Sequence, residues 1–236
     1  MTPIVAKSAR WLREPVLIAA LACWLGGCAG QPVPPAPAQA PGNPEATPSA
    51  AAPPEWRPGD RWVYGWTSAT GSGTKTVEMV EIRDINAVSY YIIRIGDVDY
   101  FYTRDLRWAG SMQKDKIVAR MTPPQPWFTW PLETGRRWTH EGLYEDPSGK
   151  VPHKDVFSVV GSETVEVPAG RFETLKIVRE TDRRDSDQYW YAPSVRFYVR
   201  WIGRRGDSQF QEELRQYQPA SRLIPSQPTS PPSGTR

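Results

Sequence analysis

Val195-Arg196-Phe197-Tyr198-Val199-Arg200-Trp201 decides the fold. Apolar Val195, Phe197, Val199 and Trp201 alternate with Arg196, Tyr198 and Arg200, a period of two that predicts a β-strand with one dry and one wet face. The same alternation runs through Trp62, Tyr64 and Trp66, through Tyr91, Ile93 and Ile95, and through Leu175 and Ile177. Turn signals separate these runs: Gly71-Ser72-Gly73, Asn86, Gly96-Asp97, Lys114-Asp115, Pro147-Ser148-Gly149, Pro168-Ala169-Gly170 and Arg205-Gly206. No stretch sustains the apolar spacing of a helix. The expected fold class is all-β, a single antiparallel meander of about nine to eleven strands. Open twisted sheets rarely exceed about ten strands, so this one should curl into a half-barrel or a closed barrel.

An internal echo bears on how the sheet is built. Gly59-Asp60-Arg61-Trp62 and Gly135-Arg136-Arg137-Trp138 share Gly-x-Arg-Trp, and each opens a run of strands. Between the runs lies Pro123-Pro124-Gln125-Pro126-Trp127-Phe128-Thr129-Trp130-Pro131. Two similar halves would explain the echo; so would a turn glycine that twice precedes an aromatic strand.

The strands occupy residues 56–218. On either side the composition changes. From Ala29 to Glu55 the chain is rich in Pro and Ala, and proline donates no backbone hydrogen bond and favours polyproline II. Residues 28–55 are therefore expected to form a spacer, with a reach of roughly 80 Å as polyproline II or about 30 Å as a coil. Residues 219–236, again rich in Pro and Ser, are expected to be a disordered tail.

At the N-terminus, Lys7, Arg10 and Arg13 precede an apolar run from Val16 to Leu25, then Leu25-Gly26-Gly27-Cys28. A basic start and a short apolar run make a secretory signal, and the run falls short of the about 20 residues a membrane-spanning helix needs. Residues 1–28 resemble the signal and lipobox of bacterial lipoproteins. That resemblance implies cleavage after residue 27 and lipidation of Cys28, a residue whose thiolate is a strong nucleophile. In the Gram-negative members, the absence of aspartate after the cysteine, here Ala29, implies the outer membrane, with the domain on the periplasmic side.

Loss of residues 1–27 changes what composition can say. It removes three positive charges and one negative, so the net charge of +3 becomes about +1. The pI of 8.9 thus belongs largely to the signal and gives no reason to expect a nucleic-acid partner. Cys23 leaves and Cys28 is acylated, so no thiol remains for a disulfide. Burial alone must hold the domain. Nine of the 11 tryptophans fall between Trp56 and Trp201 to supply it.

A second resemblance lies within the strands. Val167-Pro168-Ala169-Gly170-Arg171-Phe172, followed by Tyr189-Trp190-Tyr191-Ala192-Pro193, is similar to a V-P-A-G-x-F turn and Y-W-Y-(A/S)-P strand found in bacterial secreted proteins and lipoproteins. It covers residues 156–217 and implies a fold, with no activity to carry over.

Candidate chemistry is sparse. His140 and His153 flank an expected loop holding Glu141, Glu145 and Asp146, with Asp155 just beyond; no H-x-x-x-H or H-E-x-x-H spacing brings the two rings together. These are read as solvated loop residues, with no metal and no cofactor. There is no G-x-S-x-G elbow, so the chain is read as no enzyme. Arg179–Asp185, of mixed sign, is read as a solvated hairpin tip. Trp127, Phe128 and Trp130, stiffened by prolines, are the candidate binding surface; alternatively their rings plug the open end of the sheet.

The expected role is that of a membrane-anchored, non-catalytic binding or structural lipoprotein. Its partner would be an envelope protein, the cell wall or an apolar ligand held in the curved sheet. The alternatives are an accessory scaffold subunit of an envelope or secretion assembly, and a hydrolase. A pocket lined by Trp and Ile with few polar groups would favour the apolar ligand; an exposed patch at Trp127 and Trp130, the scaffold; convergent carboxylates, the hydrolase.

Overall fold

The computed structural model describes residues 50–183 and 185–220, which lie within one compact unit. Six strands make a first run: β2 (Arg61–Ser68), β3 (Gly71–Ile85), β4 (Val88–Ile95), β5 (Val98–Thr103), β6 (Arg107–Gln113) and β7 (Lys116–Pro126). Six make a second: β9 (Arg137–Asp146), β10 (Gly149–Val167), β11 (Gly170–Thr181), β12 (Ser186–Ala192), β13 (Phe197–Arg205) and β14 (Ser208–Gln218). Each pairs with its sequence neighbours, β7 pairs with β9, and β14 returns to β2. The meander closes into a twelve-stranded antiparallel barrel. Two short strands, β1 (Ala50–Ala51) and β8 (Leu132–Glu133), pair with each other.

The barrel has one strand more than the upper end of the expected range, and local features also differ from expectation. Pro123, Pro124 and Pro126 do not end β7. Pro123 and Pro124 fall in the gap where its register with β6 jumps from Gly110↔Arg120 to Trp108↔Gln125, and an irregularity of this kind tolerates residues without a donor. The expected loop between His140 and His153 is a hairpin, β9 against β10, turning at Pro147-Ser148. One turn also shifts. It lies at Ala69-Thr70, and Gly71-Ser72-Gly73 begins β3.

The Gly-x-Arg-Trp echo has a structural counterpart. Gly59 N donates to Met79 O at 2.8 Å and Met79 N to Asp60 O at 2.9 Å; Gly135 N donates to Val159 O at 2.8 Å and Val159 N to Arg136 O at 2.9 Å. Both glycines have positive φ, +94° and +87°, where a side chain would be strained. A β-bulge follows Met79 in β3 and Val159 in β10. Ahead of each run a tryptophan reaches a left-handed corner of the other: Trp56 Nε1 donates to Arg196 O, and Trp130 Nε1 to Asp105 O, next to Leu106. The halves are built alike.

The core fills the barrel. Trp56, Trp62, Tyr91, Tyr102 and Phe197 form one aromatic cluster, with Trp56 5.0 Å from Phe197 and 5.4 Å from Tyr91. Trp56 is 1% exposed and Ala51 pairs in β1, so packed chain begins before residue 56. Charged Glu78, between buried Val77 and Met79, and Arg94, between buried Ile93 and half-buried Ile95, face outward, the reverse of a membrane-spanning barrel, whose outside is apolar.

Tyr198, expected on the wet face, is buried. A bulge in β13 takes the register from Tyr191↔Tyr198 to Trp190↔Arg200, leaving Val199 between them. The extra residue turns Tyr198 inward, where its ring stacks on Tyr64 at 4.6 Å.

A candidate ligand cavity in the barrel

Strands β3, β4, β5, β6, β7 and β13 line an apolar cavity of about 240 Å³. Val77, Ile93 and Ile95 supply aliphatic surface, while Tyr100, Tyr102, Trp108, Trp127, Tyr198 and Trp201 supply rings. These positions share the inward face because alternate residues of a strand point the same way. Tyr102 and Phe197 join the cavity to the core, since both line it and both touch Trp56.

Only two lining side chains are strongly polar, and both are engaged. Lys75 Nζ lies 2.6 Å from Glu212 Oε1 and 5.6 Å from the Trp201 ring. Glu212 also accepts from the Tyr198 hydroxyl at 2.8 Å. Gln125 Nε2 donates to Asp155, and Gln125 Oε1 accepts from Trp127 Nε1 at 2.9 Å. Burial pushes the Tyr100 and Tyr102 phenols up, so both stay protonated at neutral pH.

Behind this wall lies a buried ionic network. Asp155, fully buried, accepts from Arg179 Nε at 2.8 Å and stands 3.0 Å from His153 Nε2. Arg179 Nη1 donates to Asp187, which also accepts from Trp201 Nε1 at 3.0 Å and from Arg205. His140 Nε2 contacts Pro123 O at 3.0 Å; as a carbonyl only accepts, that nitrogen carries the proton. Its Nδ1 lies 3.5 Å from Asp155 Oδ2. Burial alone would raise the Asp155 carboxyl; donation from the Arg179 guanidinium and from Gln125 holds it far below the carboxylate range.

This corrects two expectations. His140 is buried and His153 half-buried, on paired strands and not in a solvated loop. Arg179, assigned to a solvated tip, has a side chain only 11% exposed. The strand period places it inward, and a guanidinium is kept there only by facing carboxylates. Among the described residues no three His, Asp or Glu side chains converge to hold a metal, and Arg179 takes the Asp155 oxygen that a cation would need. The sequence signal was available: Asp155 and Asp187 sit at inward positions of strands.

Trp127, Phe128 and Trp130 do not form one surface. Trp127 turns into the barrel, 5.8 Å from Tyr102 and 5.5 Å from Tyr189. Phe128 is 2% exposed and packs on Tyr191 at 5.3 Å, with half-buried Trp130 5.5 Å from the same ring. The Val167–Gly170 turn closes β10 onto β11, and Ala169 N donates to Leu214 O at 3.0 Å. Tyr189, Trp190, Tyr191 and Ala192 are all buried, so both motifs serve the barrel. Cys28, the signal and residues 221–236 lie outside the described residues.

No protein-family model matches the sequence, and no curated protein matches it. Among solved structures, the chain is similar to a "putative exported protein with YmcC-like fold" from Bacteroides fragilis, at 14% identity and TM-score 0.42, over 71% of this chain and 99% of that one. It is also similar to the hypothetical lipoprotein YmcC from Escherichia coli, at 10% identity and TM-score 0.37, over 68% of this chain and 85% of that one.

Proposed function

We propose that this is a lipid-anchored, non-catalytic binding protein of the bacterial envelope that holds an apolar ligand inside its barrel. The carrying observation is the cavity: Ile, Val, Trp and Tyr line it, and its Lys and Gln are already paired within the protein. Apolar pockets with few polar groups are the usual form of small-ligand sites. The envelope location and the anchor at Cys28 rest on the lipobox, and Ala29 supports the outer membrane, periplasmic side.

Residues 29–236 contain the whole compact unit, whose barrel closes on itself, so they suffice for a binding test. Titration with 1-bromooctane should quench tryptophan fluorescence saturably, because Trp108, Trp127 and Trp201 line the cavity. Ile95→Phe fills that space and should abolish the quenching while preserving the β-sheet circular dichroism. Quenching that never saturates, or that persists unchanged in folded Ile95→Phe, would remove the cavity from the function.

A second reading, an accessory subunit, draws on the outer face. There Ile85, Tyr90, Phe101, Ile117 and Ala119 border a shallow apolar groove of about 180 Å³, with Ile117 47% exposed. Ile117→Lys should then release a bound envelope protein and leave 1-bromooctane binding intact.

A further inference from the structure

The polar groups of the cavity divide sharply by charge. Its single cation, Lys75, is taken by Glu212 at 2.6 Å, and Gln125 is taken by Asp155 and Trp127. The indole nitrogens of Trp127 and Trp201 donate to Gln125 and Asp187, and the Tyr198 hydroxyl to Glu212. What remains is neutral. Trp108 Nε1 is buried with no acceptor, and the Tyr100 and Tyr102 hydroxyls have no partner among the described residues. The three residues line one side of the cavity, since Tyr102 pairs with Trp108 across β5 and β6, and Tyr100 is one inward step along β5. A buried N–H without an acceptor is uncommon in folded proteins and calls for an explanation.

We infer that the ligand is an uncharged amphiphile, an apolar chain ending in a neutral acceptor such as an ester carbonyl, and that Trp108 with Tyr100 and Tyr102 receives that acceptor. A carboxylate would meet no free cation here and would stand close to Glu212. A plain hydrocarbon would leave the Trp108 N–H unpaired. An ester carbonyl accepts a hydrogen bond without bringing a charge into the barrel. The inference rests on the cavity reading proposed above and specifies the class of ligand.

The test uses ¹⁵N-labelled residues 29–236 with methyl octanoate, nonane and sodium octanoate as probes. Methyl octanoate should shift the Trp108 indole N–H resonance, assigned by its absence in Trp108→Phe. The ratio of ester to nonane affinity should fall about threefold to tenfold in Trp108→Phe, the usual worth of one hydrogen bond, and fall again in Tyr102→Phe. Octanoate should bind more weakly than its ester. If nonane binds but the ratio is unchanged in Trp108→Phe, or if octanoate binds better than the ester, the inference fails while the cavity reading stands. If none of the probes binds the native protein, both fail.

Discussion

Asp155 and Asp187, on strands separated by β11, share the Arg179 guanidinium, whose Nε serves the first and Nη1 the second. All three side chains are buried or nearly so. A buried charge is tolerated only with its partners in place, and removing one partner strands the others. Through Gln125 and Trp201, the same network backs the wall of the cavity.

Asp155→Asn should therefore cost about 3–5 kcal/mol at neutral pH. The Asp155 carboxyl titrates well below its ordinary value of 3.8 in the folded state. Its stabilisation is thus complete above about pH 5 and is lost as the pH falls through the carboxylate range and below. Urea unfolding at a series of pH values should show native and Asp155→Asn proteins converging toward pH 2. A constant gap from pH 7 to pH 2 would mean that the cost is packing and not charge.

Trp56 precedes the first barrel strand, yet it lies against Trp62, Tyr91, Tyr102 and Phe197 and bonds to Arg196 O. Trp56→Ala should cost about 3–5 kcal/mol. For a domain of this size that lowers the melting temperature by on the order of 10 °C. An unchanged melting temperature would show that Trp56 only covers the barrel and does not hold it.

Gly110, in β6, lies against the irregular crossing with β7, and a Cβ there would stand 2.6 Å from Ala119 O. That neighbour is backbone and cannot rotate away. Gly110→Ala should destabilise by about 1–3 kcal/mol through that contact, on top of its own positive φ of +158°, whereas Gly96→Ala should act only through its positive φ, since nothing lies near its Cβ position. Equal costs at the two sites would refute the steric account.

The strands were legible in the sequence because Trp62, Tyr64, Ile93, Leu175 and Ile177 keep the period of two with no helical competitor. Closure was legible only as an option, since β14 meets β2 across about 150 residues of sequence separation and no local signal reports that pairing. Bulges were not legible. The one at Val199 turned Tyr198 from an expected wet position into the stacking partner of Tyr64. The ionic network was missed because Asp155 read as a loop charge and Arg179 as part of a hairpin tip, and only pairing β10 with β11 and β11 with β12 brings them to Asp187. A space lined by Trp and Ile was one of three alternatives the sequence left open. Its donor set, Trp108 with Tyr100 and Tyr102, depends on β5–β6 register.

Trp127, Phe128 and Trp130 provide the sharpest separation of roles, because one proline-bounded segment sends its rings to different places. Phe128 is enclosed by the core, so Phe128→Ala should cost about 3–5 kcal/mol and leave any ligand affinity that survives folding unchanged. Trp130 is half-buried but anchors the other half through Asp105 O, so Trp130→Phe should lose about 0.5–1.5 kcal/mol, the net worth of that bond. Trp127 lines the cavity and bonds only to Gln125. Trp127→Phe should weaken 1-bromooctane quenching more than it lowers stability. Urea unfolding and quenching on the same three variants resolve the assignment. If Phe128→Ala proves neutral for folding, these rings form an exposed partner surface and the plug is wrong; if Trp127→Phe leaves ligand binding untouched, the cavity wall does not include it.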